Sequence, residues 1–594
     1  MGRATVRVRT TVFEPMTQPE PPANRPVDQL SDYLHRLADA HGVSDYTQTP
    51  DGTVVYAAYD DGTYDLHTAE GRLTDAEGDV TFPTWLRDRE PLLAYRDEDG
   101  SEQYDLVTVD PESGSVTPVL DGRYMNFRAR QHPTDPALVS FVSNRDRSLD
   151  LYTVDLDDGT VTRESGADQQ VMGYAWSPDG GRVAYQAGTF EDASLRVVDR
   201  RTGRDDVFVD EPGSEQSFAF TDDGEGAWSE EGVVFTTNHE TGYRELAVAD
   251  ADGEYTLRYV NHHDKYDPQW TDGGDVVFLE SHGGDRRVCR LADGEVTTVE
   301  RTGMNVDLTC LDGDVYYKDW SPATAGALRR NGATVVDEGW VDVQTVAPEE
   351  VSYESFDGTD IAARLYRPEG DPVGGVVQAH GGPEAQHYNR LDVATQALVR
   401  AGFEVLAPDF RGSLGYGRAF RKASDADLGG DDLTDVVAGA SYLRERGREQ
   451  VGVFGASYGG YMALMAVGAT DAFDAGASVC GVVNWETTVE NAREYVGEVL
   501  MRKLGGTPEE RPALYEERSP ISHVDAIDVP LLVVQGGNDP RVPRSEAEQL
   551  VASLDERGVD HEYLLFEDEG HGVVRTENRV EYVTRVVEFF GEHV

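Results

Sequence analysis

The sequence predicts two architectures in one chain: an all-β propeller of about seven blades, then a doubly wound, mostly parallel α/β sheet. Three observations predict them. Between about residues 46 and 345, short apolar strands separated by turn pairs recur about every 40 residues. After about residue 346, Val- and Leu-rich runs alternate with helical segments instead. At the ends of those later runs stand a serine, an aspartate and a histidine, in that order along the chain.

Residues 1–25 are polar and Pro-rich (EPMTQPEPPANRP) and read as a flexible extension without an apolar signal core. Within 26–45, Leu30, Tyr33, Leu34 and Leu37 fall at helical spacing, which predicts a short amphipathic helix packing on the α/β domain.

From 46 to 345 an opening signature recurs. YAWSPDGGRVAYQA (174–187) has echoes that begin at 81, 127, 218 and 266, each with an aromatic, a turn rich in Asp, Gly or Pro, and a β-rich strand. Openings near 46, 81, 126, 171, 216, 266 and 303 give about seven units. One such meander cannot bury its own faces, so neighbours must stack around an axis.

From 346 to 594 the runs GGVVQAH, FEVLAPDF, VGVFGAS, FDAGASVCGVV, PLLVVQGG and EYLLFEDEG are separated by segments such as DDLTDVVAGASYLRER. Continuous apolar strands alternating with helices imply a parallel sheet covered on both faces.

Composition excludes several classes. Lys and Arg number 52 against 111 Asp and Glu, a net charge of −59, and lysine occurs only at positions 265, 318, 422 and 503. Nucleic-acid and anionic-membrane binding need the opposite sign. No apolar run reaches membrane-spanning length. Self-repulsion of this size is screened where the Debye length falls to about 3 Å, so the chain is expected in a cytoplasm that holds molar salt. The cysteines, Cys289, Cys310 and Cys480, are scattered, offer no metal-ligand spacing, and read as plain thiols.

Chemistry concentrates in the second half. Gly455-Ala456-Ser457-Tyr458-Gly459 has the G-x-S-x-G pattern of a sharp strand-to-helix turn that exposes a serine hydroxyl in an α/β-hydrolase fold. Asp539 follows PLLVV and His571 follows EYLLF, giving the chain order of that fold. A serine hydroxyl needs a base to take its proton and a carboxylate to hold the base in one tautomer. The amide of Tyr458 and a second amide from the Gly-Gly turn of HGGPE (380–384) are the expected oxyanion donors. Neither metal nor organic cofactor is needed.

HGGPE, PDFRGSLGYG (408–417), LGGDDLTDVVAGASYL (428–443), GASYGGYM, QGGNDPRVP and EDEGHG, behind a β-propeller, resemble the prolyl oligopeptidase family of serine peptidases, nearest its acylaminoacyl-peptidase group. The resemblance implies Ser457 as nucleophile, His571 as general base and acid, Asp539 as orienting carboxylate, and Gly382 with Tyr458 as the oxyanion hole. It further implies Arg541 as a ligand of a substrate carbonyl and Trp485 as a lining residue of the S1 pocket. Short peptides are the implied substrates, with the propeller covering the site; homo-oligomers stay open. Gln535 stands where the family has a histidine. The resemblance leaves an aminopeptidase or dipeptidyl-peptidase of the family open. A carboxylesterase uses the same triad, and a non-catalytic propeller scaffold is the reading from another class.

Overall fold

Seven four-stranded antiparallel meanders form the described residues between 41 and 340. The structure, a computed structural model, describes residues 30–594 except 61, 99–101, 121–122, 147, 167–169, 189–192, 210–226, 312, 338, 340 and 492–493. The extension expected over 1–25 lies outside the described residues. The first described strand of each meander begins at Val43, Asp79, Asn126, Val171, Trp228, Lys265 and Met304. A single parallel bridge, Arg286 to Met304, joins the sixth and seventh.

The core of this unit is a set of wedges between neighbouring meanders. Ala57 and Leu66 of the first pack with Leu92 and Val107 of the second, and Tyr95 of the second with Phe141 and Tyr152 of the third. Leu151 then meets Tyr174 and Tyr185, Leu195 meets Phe235, Val234 meets Phe278, and Val277 meets Leu308 and Tyr317. Alternate side chains of a strand point to opposite faces, and here both faces are covered, so the strands need apolar residues on both. First and last meanders meet through side chains: Val336 packs near Val43 and Tyr56, and Tyr46 Oη donates to Asp307 O at 2.8 Å. Among the described residues each meander keeps four consecutive strands, and no strand is exchanged between meanders.

Three of the chain's four lysines are buried. Lys265, Lys318 and Lys503 are 0%, 5% and 5% exposed, and each is ion-paired, with Glu245, Asp307 and Glu384 in turn. Burial pulls the Lys265 ammonium below its usual range, while Glu245 works the other way.

The second unit, residues 30–40 and 341–594, is built on one eight-stranded sheet. Its strands are β1 (Glu349–Glu354), β2 (Asp360–Tyr366), β3 (Gly374–Ala379), β4 (Phe403–Pro408), β5 (Val451–Ala456), β6 (Ala475–Val479), β7 (Leu531–Gly536) and β8 (His561–Phe566). They lie in the order β1-β2-β4-β3-β5-β6-β7-β8, antiparallel as far as the β2–β4 pair and parallel from there on. The helices that matter here are α1 (Leu30–Ala38), α2 (Val393–Arg400), α3 (Asp431–Glu445), α4 (Tyr458–Ala469), α5 (Arg544–Arg557) and α6 (Thr576–His593).

Period-two alternation decides which helix covers which face. Val377, Val453 and Val533 share a cluster with Leu433, Met462 and Leu550 of α3, α4 and α5. The intervening Gly452 points at α6, where a Cβ would stand 2.4 Å from the Phe590 ring. Helix α1 packs against α2 and α6, and Arg579 donates to Ala38 O at 3.2 Å.

A buried ionic knot ties β1, α3 and the loop after β4. Arg411 donates its amide and Nε to Asp435 Oδ2, both at 2.9 Å, and Nη2 to Oδ1 at 2.6 Å. Tyr353 Oη donates to Asp435 O at 2.8 Å, and Ser355 Oγ donates to the same carboxylate.

Candidate active site

Ser457 sits at the turn from β5 into α4 with φ +56° and ψ −121°, a left-handed conformation that a side chain rarely adopts. Its amide is held by Val479 O at 2.8 Å, and its carbonyl accepts from Tyr461 N at 3.0 Å. The flanking glycines follow from closeness. A Cβ at Gly455 would lie 2.4 Å from the Gly459 carbonyl, and one at Gly459 would lie 2.1 Å from Ala379 O on β3. Gly459→Ala must therefore push α4 off the sheet and is expected to cost about 3 kcal/mol of stability, read from denaturant unfolding.

His571 joins the other two residues. Its Nε2 lies 3.0 Å from Ser457 Oγ and its Nδ1 lies 2.7 Å from Asp539 Oδ2. Asp539 comes from the loop between β7 and α5, and its side chain is wholly buried. Its Oδ1 accepts the amides of Arg541 and Val542, both at 2.9 Å. Gln535, at the end of β7, donates to Val542 O at 3.0 Å and approaches Asp539 Oδ2 at 3.4 Å. The aspartate and histidine loops lie against each other because both residues of Gly536-Gly537 lack a Cβ. One added at Gly536 would fall 2.0 Å from Gly570 O, and one at Gly537 would fall 2.8 Å from Glu567 Cα. Buried Glu569 pins the histidine loop by accepting Val574 N at 3.1 Å and Arg575 N at 2.9 Å.

The oxyanion side is built from two loops. Tyr458 opens α4, so its amide is among those with no partner inside the helix. Its side chain is anchored below: Tyr458 Oη donates to the carboxylate of Asp432, which is fully buried at the start of α3. Burial pushes the Asp432 carboxyl up to about 7, with Asp427 and Asp435 adding to the rise and the Tyr458 hydrogen bond opposing it.

This makes a pH prediction with a definite sign. Unfolded aspartate loses its proton near pH 4, so between about pH 4 and 7 the folded state holds a proton that the unfolded state has released. Stability contributed at Asp432 therefore falls as pH rises through that window. Asp432→Asn should gain on the wild type by up to about 1.4 kcal/mol per pH unit there and by a constant amount above it, measured by denaturation at each pH.

HGGPE supplies the second loop. A Cβ at Gly381 would stand 3.5 Å from Ser457 Cβ, so this turn borders the serine, with Gly382 next in line at φ +125°. His380 is buried, stacks on Phe410 at 4.1 Å, and its Nε2 lies 2.8 Å from Ser413 Oγ. Burial holds its ring below the usual histidine range, which favours the neutral form. Glu384 ties the loop to Lys503, whose Nζ also donates to Asp425 at 2.6 Å.

Arg541 is exposed two residues beyond Asp539. Trp485, expected to line a pocket, is 1% exposed and meets Tyr461 edge-on at 4.9 Å. It is a core residue, because the short helix Trp485–Asn491 turns its indole onto α4. Cys480 stands beside Asp539 and His571 as well. No spacing in the sequence links it to other ligands, yet its sulfur, an Asp539 oxygen and a His571 nitrogen lie within 4.8 Å of one another. Burial, then the Asp539 charge, pushes the thiol up to about 12. Asp432 and Glu569 are supporting residues that sequence reasoning did not single out, and Gln535 was noted only as a departure from the family's histidine. The signals were their places in motifs already noted, LGGDD for Asp432, EDEGHG for Glu569 and QGGNDPRVP for Gln535.

Comparison with known proteins agrees with this geometry. Residues 389–594 match the model of the prolyl oligopeptidase family. A dipeptidyl aminopeptidase BIII from Pseudoxanthomonas mexicana is 28% identical over 553 residues, covering 83% of this chain and 77% of that one. Acylamino-acid-releasing enzyme 1 of Oryza sativa subsp. japonica is 26% identical over 231 residues, 37% of this chain and 30% of its own. Among solved structures, a Mycobacterium tuberculosis puromycin-hydrolyzing peptidase superposes with a TM-score of 0.83 at 20% identity, covering 98% of both chains. A Pyrococcus horikoshii acylaminoacyl peptidase gives 0.71 at 17% identity, over 94% of this chain and 97% of the other. At such identities these two attest the fold alone. The stretch that matches the prolyl oligopeptidase family, residues 389–594, is the one that holds Ser457, Asp539 and His571, so the likeness to that family's serine peptidases falls on the candidate active site.

Proposed function

We propose that this chain cleaves short peptides near their amino end through an acyl-enzyme on Ser457, releasing N-acylated amino acids from blocked peptides. The observation that carries the mechanism is the continuous contact from Ser457 Oγ to His571 Nε2 at 3.0 Å and from His571 Nδ1 to Asp539 at 2.7 Å. Ser457 Oγ attacks the scissile carbonyl as its proton passes to His571 Nε2. Asp539 keeps the other ring proton on Nδ1 and stabilises the imidazolium. The amides of Tyr458 and Gly382 receive the oxyanion. His571 then gives its proton to the leaving amine, and water, deprotonated by the same nitrogen, releases the acyl group. Arg541, exposed at the rim, holds a substrate carbonyl.

A second reading has its own support. A relative that matches across both units is a dipeptidyl aminopeptidase, which favours a free amino end. One peptide offered with an acetylated and with a free amino terminus separates the two, its products followed by mass spectrometry in molar KCl with Ser457→Ala as control. Release of the acetyl amino acid from the blocked form supports the first reading. Loss of residues from the free form alone moves the assignment to the second. The net charge of −59 supports molar salt as the working medium, and with it a salt-rich cytoplasm. Activity that rises steeply with KCl is the expected result.

A further inference from the structure

Cys480 is the one buried thiol at the candidate site, and peptide hydrolysis has no use for it. It follows directly on β6, is 2% exposed, and gives its amide to Val534 O at 2.8 Å. Its sulfur, an Asp539 carboxylate oxygen and a His571 ring nitrogen all lie within 4.8 Å of one another. Among the described residues no other His, Cys, Asp and Glu side chains converge in this way.

Three donors from three strand ends, one sulfur, one nitrogen and one oxygen, make a ligand set for a thiophilic divalent cation. Zn²⁺ takes such donors at about 2.0–2.3 Å, so its ligand atoms stand about 3–4 Å apart. To reach that spacing the Nδ1–Oδ2 pair, hydrogen-bonded at 2.7 Å, must open slightly, and the sulfur, within 4.8 Å, must draw in. Mg²⁺ and Ca²⁺, which prefer oxygen, gain nothing from the sulfur. We propose that Cys480, Asp539 and His571 form an inhibitory site for a thiophilic divalent cation such as Zn²⁺ or Cd²⁺.

The exchange balances without redox chemistry. The cation sheds water, the thiol releases its proton to solvent, and a metal–sulfur bond forms. Asp539 gives one oxygen and His571 gives Nδ1, whose proton reappears on Nε2. Thiolate and carboxylate together neutralise the dication. With Nε2 protonated and facing Ser457 Oγ at 3.0 Å, the ring cannot accept the serine proton. Binding rests on the cluster alone, whereas inhibition rests on His571 being the base.

The full chain is titrated with Cd²⁺ in molar KCl and excess Mg²⁺, which occupies surface carboxylates, while the ultraviolet sulfur-to-cadmium charge-transfer band is followed. Wild type and Ser457→Ala should both bind one Cd²⁺ with the band. Cys480→Ala and the shape-preserving Cys480→Ser should lose the band and bind at least tenfold more weakly. Comparing them with the wild type isolates this sulfur from Cys289 and Cys310. In the wild type, Zn²⁺ should abolish activity reversibly by chelator, and the half-inhibiting concentration should rise at least tenfold in both Cys480 variants. Equal Cd²⁺ affinity and an unchanged band in the folded Cys480 variants would overturn the site. A band with the expected affinity, in a wild type still fully active, would instead overturn His571 as the base.

Discussion

Asp539→Asn is expected to lower kcat about 10,000-fold with little change in KM or stability. The direction follows from what holds the carboxylate. Oδ1 accepts two backbone amides, from Arg541 and Val542, so an asparagine must keep its carbonyl oxygen there. Its amide nitrogen then faces His571 Nδ1, and two donors cannot share that contact. The ring responds by moving its proton to Nε2, where it meets the Ser457 hydroxyl and can no longer act as base. Ser457→Ala removes the nucleophile itself and should cost about a million-fold in kcat. Single-turnover kinetics on one chromogenic peptide measure both, with circular dichroism confirming the fold. An Asp539→Asn protein within tenfold of the wild-type kcat would sink the assigned role of the carboxylate.

Arg411→Met is expected to cost about 3–5 kcal/mol, the largest stability loss predicted for this chain. The arginine makes three hydrogen bonds to Asp435, whose side chain has no exposed surface. Methionine keeps the bond from the backbone amide, and Ser355 Oγ still donates, but the two guanidinium bonds and the positive charge are lost, which leaves the buried Asp435 carboxylate without its counter-ion between β1 and α3. The loss should shrink when Asp435→Leu is added, because the double variant leaves no charge unpaired. Chemical denaturation in molar KCl provides the measurement. A single variant as stable as the wild type would mean that Asp435 takes up a proton or another partner at little cost.

These two residues mark the limit of what the sequence discloses. Ser457, Asp539 and His571 were legible because each closes an apolar run, and a parallel sheet brings the ends of such runs to one edge. The seven meanders were legible for a related reason: each is local in sequence, so its turns and aromatics repeat without reference to any distant partner. Asp435 and Asp432 carry no comparable mark. In a chain with 111 acidic residues, two buried carboxylates look like all the others until α3 sets them beside Arg411 and Tyr458. Trp485 misled for the opposite reason. An aromatic just past a strand end suits a substrate pocket and a core equally well, and the turn of one short helix decides between them. Cys480 became visible only when β6 and β7 were laid side by side, since 59 residues separate it from Asp539 in sequence.

The burial of three lysines gives this protein an unusual reactivity toward acylating reagents. Lys422 is the only lysine with appreciable exposure, about a third of its side chain. Among the ε-amines of the native chain, an amine-directed dye should therefore label Lys422, and should reach the other three only as the fold opens. Guanidinium carries the rest of the positive surface and does not react. The number of ε-amines labelled thus becomes a gauge of unfolding.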